Sequence, residues 1–434
     1  MRRVLIVSPH FPPANAPDAQ RVRMSLPYFA ENGWEPVVLA VNAGHVESPQ
    51  DPWLARTVPS NVTVVRVGAL PASVTRLVGL GNLSYRAWFS LQSAGDRLLR
   101  EQHFDLVYFS TTQFVATALG RRWLRRFGVP FVVDIQDPWR TDYYERPGAP
   151  PPPGGWKYRF ARWQATRLEE RSWRDAAGFV SVSEDYLAQL RLRYPWFPAR
   201  PAAVIPFGAP EDDFALVRQH PELAPAFVRE PGAVHLVSVG VVGPIMRTAL
   251  ELLFAGVRNL QTLDPTAASR LRLHFIGTSY ALAGRAEPSV LPIARACGVE
   301  GVHEETGRVG YFTAISTLLA SDAVLILGSD DPAYNPSKIA NCYLAAKPTL
   351  ALTPAGSALD RMVRELDFAT LATWPAPDGV SSVTEFLRQQ LHPDTAAPRP
   401  PRQDALFATT HTARARTRQQ CALFDQALAG PPLT

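Results

Sequence analysis

Short apolar runs that stop at a polar loop and give way to a helical stretch recur along the whole chain. They include residues 4–7 (VLIV), 105–110 (DLVYFS), 130–134 (PFVVD), 235–240 (HLVSVG), 271–277 (LRLHFIG), 323–327 (AVLIL) and 349–352 (TLAL). Runs this short and this continuously apolar read as strands covered on both faces. Strands that alternate with helices form parallel crossovers, so the expected fold is α/β with doubly wound sheets. A chain of 434 residues is too long for one ordinary core, which predicts two domains. We place them at 1–206 and 207–398. The Pro-rich tether 393–402 then leads to a last helix, about 403–429, within a segment 399–434 that folds back toward the first domain.

Composition removes several function classes. The three cysteines, Cys297, Cys342 and Cys421, are odd in number and far apart, with no CxxC. They suggest neither a disulfide framework nor a zinc site, and they fit a reducing compartment. No clustered His/Cys set appears, so no metal is expected, and Asp330-Asp331 reads as a solvated loop. The opening MRRVLIV has too short an apolar run for a signal peptide, and no run of 18 apolar residues exists to span a membrane. A cytoplasmic location is the expectation. The net charge of +5 suits a nucleotide, a phosphate or an anionic membrane surface. The basic residues are spread out and no recognition motif stands out, which argues against nucleic acid.

The stretch after 323–327 is the most suggestive. Asn335-Pro336 reads as an N-cap followed by Pro at the first helical position. Lys338 then falls in the first turn, where the helix dipole disfavours a cation by roughly 0.3–1 kcal/mol unless an anion neutralises it. Free N–H groups with Ser337 and Lys338 make a phosphate pocket; an exposed lysine reaching water accounts for the same residues. Residues 235–240 lead into a loop containing Gly243, with Arg247 in the opening turn of the next helix. Its spacing is not GxGxxG. Two cations at neighbouring helix starts suit a diphosphate. Thr278, past the end of 271–277, can reach a sugar or phosphate or simply form a turn. Residues 308–311 read as a short strand and turn.

In the first half, Asp18 is a candidate cap for a helix running to Asn32, with Gly33 as its stop. Arg21 is a candidate anion contact or a surface partner of Asp18. Gln136 and Asp137 follow strand 130–134, where open α/β sheets bind ligands; Asp137 reads as an acceptor contact, a base or a cap. The helix Trp156–Trp173 is rich in Lys, Arg, Trp and Phe, so it can lie on an anionic membrane or pack its rings on the domain.

Five segments, in order, carry a family resemblance: VLIVSPHFPP, VVDIQDPW, IPFGAPEDDF, RVGYFTAISTLLASDAVLI and NPSKIANCYLAAKP. They resemble the motifs of GT-B glycosyltransferases, close to glycosyltransferase family four, over nearly the whole chain. The resemblance implies two Rossmann-like domains facing across a cleft with the C-terminal helix crossing back. It implies transfer of a sugar from a nucleoside-diphosphate sugar to a glycan or lipid-linked acceptor, such as a polysaccharide precursor, with retention. It implies no metal and no cofactor beyond that co-substrate, and a protein peripheral on the inner face of the membrane. Arg247 and Lys338 map onto the pair that holds the donor diphosphate, with Asp137 beside them in the catalytic set. Gly243, Thr278, Val309, Tyr311, Ser337 and Asn341 map to the donor side, and His10, Asp18, Arg21 and Gln136 to the acceptor side. The family's Glu-x7-Glu is absent, Ala333 and Asn341 standing in its places, and its first-domain His is Gln136. A nucleotide-sugar 2-epimerase or a non-catalytic sugar-nucleotide binder would keep the same diphosphate site.

Overall fold

The computed structural model describes the chain except residues 77–78, 141–154, 280–285, 331–338, 393–401 and 431–434. It divides into two compact units, Met1–Gly208 with Ala413–Thr434, and Ala209–Thr412.

The first unit is built on a seven-stranded parallel sheet in the order β3-β2-β1-β4-β5-β6-β7. Its strands are β1 (Arg2–Val7), β2 (Trp34–Val41), β3 (Thr63–Val67), β4 (Leu106–Ser110), β5 (Phe131–Ile135), β6 (Gly178–Ser181) and β7 (Ala202–Val204). Alternate residues of β1 serve opposite faces. Leu5 and Val7 join the core of Trp123 and Trp173, whereas Val4 and Ile6 join that of Trp34 and Phe424. This two-sided burial is why the central strands read as unbroken apolar runs. Phe424, on the last helix Ala413–Ala429, packs 5.4 Å from Trp34 and 4.9 Å from Tyr108, so that helix completes this core.

The second unit carries a six-stranded parallel sheet, β10-β9-β8-β11-β12-β13. Its strands are β8 (Val234–Val239), β9 (Leu271–Ile276), β10 (Val302–Glu305), β11 (Ala323–Leu327), β12 (Thr349–Pro354) and β13 (Thr370–Trp374). The helices Arg247–Leu263 and Gly379–Leu391 cover one face through Leu253, Phe254 and Leu387.

Several expectations need correcting. The predicted helix 18–32 is a seven-residue helix, Ala19–Ser25, followed by two 3-10 turns, because Pro27 cannot continue an α-helical hydrogen-bond ladder. Gly33 does end this run, at φ 79°. Residues 308–311 form no strand; the edge strand is β10, and a helix starts at Tyr311. Residues 375–383, whose Pro-Ala-Pro-Asp-Gly run reads as a loop, contain the start of the helix Gly379–Leu391. The predicted helix 403–429 is two helices, Asp404–Thr410 and Ala413–Ala429, and the chain passes from the second unit to the first between Thr412 and Ala413. The predicted cap Asn335-Pro336 lies outside the described residues.

Candidate functional site

In a doubly wound sheet the ligand crevice opens at the carboxyl ends of the strands, where the strand order reverses. The first sheet reverses between β1 and β4, and the second between β8 and β11. Each unit presents a distinct chemical environment there.

In the first unit the loop after β1 brings His10 to Asp18. His10 Nδ1 lies 2.8 Å from Asp18 Oδ1. Asp18 Oδ2 accepts from Thr111 Oγ1, Thr112 N and Thr112 Oγ1, each at 3.1 Å. The carboxylate is therefore held by the loop after β4, and it makes no capping bond to the helix that follows it. The predicted cap is wrong because every donor Asp18 needs is supplied by those neighbours. Burial acts to raise its pKa but is outweighed by His10 and Thr112, so Asp18 stays below the usual carboxylate range.

Beneath it lies a buried charge pair. Asp134, at the end of β5, is fully buried, and its Oδ2 receives Ser110 Oγ at 2.8 Å and Gln136 Nε2 at 2.7 Å. Arg21 Nε lies 2.8 Å from the same oxygen, and Arg21 Nη2 donates to Ile205 O at 2.6 Å. Arg21 is only 3% exposed, so it is neither an open anion contact nor a surface partner of Asp18. Gln136 also donates to Ser110 Oγ at 3.0 Å and to Asp18 O at 3.3 Å, which aims its amide nitrogen inward. Gln136 Oε1 and Asp134 Oδ1 are buried acceptors without a donor among the described residues. Asp137 stands exposed beyond this network. Its carboxyl is nonetheless held above its ordinary range, first by loss of solvent around it and then by the Asp18 charge. Trp139 follows it and stacks on Phe114 at 5.5 Å, fixing the loop.

In the second unit the same position is a cavity of about 210 Å³. Ser238 and Gly240 at the end of β8, Leu327 at the end of β11, and Asn341 and Cys342 on the helix Ile339–Ala345 line it. Most of the wall is apolar, including Val242, Met246 and Leu318. Gly240 has φ 115°, a conformation closed to other residues, and it turns the chain across the cavity mouth. The following loop is tied down by Val242 N donating to Thr278 O at 3.1 Å. Asp330, the last residue before 331–338, is fastened to the turn before Arg247. Its N donates to Ile245 O at 2.8 Å, and Thr248 Oγ1 donates to its Oδ2 at 2.8 Å.

Of the donor-side residues predicted from sequence, Asn341 lines the cavity. Gly243 caps the 3-10 turn Pro244–Met246 beside it. Arg247 opens its helix as expected, but it is 65% exposed and its Nε donates to Glu251 at 2.7 Å. Thr278 is buried, and its hydroxyl is committed to Glu304 Oε1 at 2.7 Å, a carboxylate that also caps the helix Leu291–Ala296. Val309 packs with Phe227 and Ile276, and Tyr311 donates its hydroxyl to Asp213 at 2.7 Å. Thus Thr278, Val309 and Tyr311 are engaged in holding the unit together. Ser337 and Lys338 lie outside the described residues. Sequence reasoning passed over Asp134, Ser110, Thr111 and Thr112. The signal for Asp134 was a carboxylate inside an apolar strand, which is stable there only with a partner.

Comparison with known proteins supplies the context. Residues 19–208 match the family model described as a glycosyl transferase 4-like domain. None of the curated proteins matches the chain. Among solved structures, the chain is similar to the N-terminal domain of Candida albicans trehalose-6-phosphate phosphatase, at 10% identity and a TM-score of 0.59, over 98% of this chain and 97% of that one. It is also similar to a UDP-forming α,α-trehalose-phosphate synthase from Burkholderia xenovorans, at 12% identity and 0.55, over 99% and 100% of the two chains. A glycosyltransferase from Rickettsia africae matches at 11% identity and 0.52, over 99% of each. At such identities the likeness is one of fold, and the fold is GT-B.

Proposed function

We propose, from the premise that this chain is an enzyme of the transferase class with a glycosyl transferase 4-like domain on a GT-B fold, that it moves a sugar from a nucleoside-diphosphate sugar to a hydroxyl acceptor. The observation that carries the reading is the cavity at the reversal point of the second sheet, with Asn341 on an otherwise apolar wall. An apolar cleft with few polar groups suits a nucleoside. Asn341 offers one hydrogen bond to a ribose hydroxyl, where family relatives place a carboxylate. Arg247 exchanges its exposed Glu251 partner for a phosphate oxygen at little cost, because a surface pair of this kind is worth about 0.5 kcal/mol. Lys338 and Ser337 supply the second half of the diphosphate contact. Bond breaking then draws on stabilisation of the departing diphosphate.

The acceptor belongs to the first unit. Gln136 Oε1 and His10 receive its hydroxyls, and Asp18 keeps His10 oriented. Asp137, with its raised pKa, takes part in proton transfer from the attacking hydroxyl. The acceptor class we favour is a lipid-linked or polysaccharide precursor, with retention at the anomeric carbon. Phe160 and Trp163, exposed on the helix Trp156–Trp173, would meet the membrane surface that such a lipid occupies. No helix among the described residues is long and apolar enough to cross a membrane.

The test is a panel of nucleoside diphosphates in a thermal-shift assay, followed by nucleotide sugars with and without a lipid-linked glycan. Native-state binding raises the melting temperature, and Lys338→Ala abolishes the rise. Release of nucleoside diphosphate must then depend on the acceptor. A protein that binds no member of the panel has no donor site, and isomerisation of the nucleotide sugar without acceptor would move the activity to an epimerase.

A further inference from the structure

A second cavity, of about 540 Å³, opens at the opposite ends of strands β5, β6 and β7. Pro130, Ala177 and Pro201, which lead into those strands, form its floor, and Leu124 and Leu428 add apolar wall. Three arginines from two separate segments converge on it: Arg121 and Arg125 of the helix Ala118–Phe127, and Arg200 before β7. Asp175 is the carboxylate in its lining.

The arginines are unequally employed. Arg121 Nε donates to Asp175 Oδ2 at 2.6 Å, and its Nη1 reaches Arg171 O at 3.3 Å. Arg200 Nη2 makes a long contact to Arg174 O at 3.4 Å, and its Nε is buried with no acceptor among the described residues. Arg125 is exposed in the last turn of its helix. Helix carbonyls explain where two of these side chains point, and the dipole favours Arg125 where it is. They leave a buried guanidinium N–H without a partner among the described residues, a desolvation cost that an arriving acceptor would remove. They also leave three positive charges against one negative charge in the lining of a single concavity.

We propose that this cavity binds a ligand that joins a phosphate or diphosphate to an apolar group, with Arg125 and Arg200 on the anion and Leu124 and Leu428 on the apolar part. It lies at the far end of the strands from His10, Asp18 and Asp137, so it is separate from the acceptor site and does not depend on the transferase reading. The test follows hydrogen exchange of the full chain over residues 121–130 and 199–201 during titration with three probes: inorganic pyrophosphate, geranyl diphosphate, and phosphatidylglycerol vesicles. Geranyl diphosphate is expected to protect both segments at lower concentration than pyrophosphate. Protection of the same segments by vesicles, lost on Arg125→Ala, would assign the anion to a lipid headgroup and also support the pocket. Arg125→Ala and Arg200→Gln should each weaken geranyl diphosphate about tenfold, the worth of one charge-assisted hydrogen bond. Arg97→Ala, exposed and outside the cavity, should leave it unchanged. No protection of either segment by any probe overturns the proposal, as does protection that survives both cavity substitutions. Mapping protection to these segments separates the result from diphosphate bound in the second unit.

Discussion

The two sheets reverse their strand order in the same way and fill the resulting crevice with opposite chemistry. At β1/β4 the first unit places a carboxylate held by His10, Thr111 and Thr112 over a buried Arg21–Asp134 pair. At β8/β11 the second unit leaves a mostly apolar hollow with Asn341 and Ser238 as its polar side chains. One fold position thus carries a site rich in oriented polar groups in one unit and a mostly apolar hollow in the other. Backbone topology fixes where a ligand can sit, while side chains decide which ligand it is.

The contrast breaks most sharply at Asp134. Asp134→Asn removes the charge opposite Arg21 and strands a guanidinium in a dry interior, which should cost about 3–5 kcal/mol. Because all tryptophans except Trp374 lie within residues 1–208, denaturant unfolding followed by tryptophan emission reads the first unit. Replacing both partners by apolar residues, Arg21→Met with Asp134→Leu, should recover much of that loss. If the single variant unfolds like the parent, the pair is not the support under Gln136 and Asp18.

Much of this architecture was readable in the sequence, and the failures have a common cause. Central strands such as 323–327 were found because both faces are buried and every residue is apolar. The edge strands β10 and β13 were missed because one flank is open and their polar residues dilute the pattern, as in Val302–Glu305 with its two glutamates, and β7 because Ala202–Val204 is only three residues long. At the site, Asp18 was read as a helix cap and Arg21 as an anion contact or a surface partner of Asp18, whereas both are held by buried partners. Their partners were not legible, since Asp134 and Thr112 lie about a hundred residues away and only the parallel pairing of β1 with β4 and of β4 with β5 brings them close. Thr278 shows the reverse error. Its place at a strand end suggested ligand contact, but Glu304 on the neighbouring strand takes its hydroxyl.

The units should also part under acid. In the second, His235, His274 and His303 stack across β8, β9 and β10, with ring centroids 5.2 and 5.0 Å apart and Phe227 against the first two. His235 Nε2 accepts the N–H of Glu230, which leaves the Nδ1 proton to bridge to His274 Nε2 at 2.9 Å. Burial, then the neighbouring His303 and His235, lower the pKa of His274 from 6.5 to about 4; Arg272 acts in the same sense and Glu230 against it. A depressed histidine contributes stability that is complete above the unfolded value and is lost as pH falls from 6.5 toward 4. Asp18, lowered from 3.8, contributes stability above that value and gives it up only below it. Hydrogen-exchange protection over residues 209–412, corrected for the slower intrinsic exchange at lower pH, should therefore fall between pH 6.5 and 4 while tryptophan emission from the first unit holds. Simultaneous loss below pH 3.8 would refute the difference.

A smaller effect probes the slot itself. Asn341→Ala removes one neutral hydrogen bond, about 1 kcal/mol, and should weaken nucleoside diphosphate binding about fivefold without changing the melting temperature of the unliganded protein. Calorimetric titration reads it directly. An unchanged affinity would mean that the cavity at β8/β11 holds something other than a ribose.

The least costly change tests whether the first unit's polar site works beside a membrane. Phe160 and Trp163 are 49% and 54% exposed, stack on each other at 5.8 Å, and carry Arg167 over the Trp163 ring at 5.4 Å. Because they are exposed, Phe160→Ser with Trp163→Ser should move stability by only about 0.5 kcal/mol. The same rings are what an interfacial helix buries among headgroups, with arginines on the phosphates. The double variant should therefore lose sedimentation with phosphatidylglycerol vesicles while keeping its fold and its nucleotide affinity. A parent protein that stays in the supernatant with such vesicles would leave these rings as ordinary surface and take the membrane out of the proposed acceptor's setting.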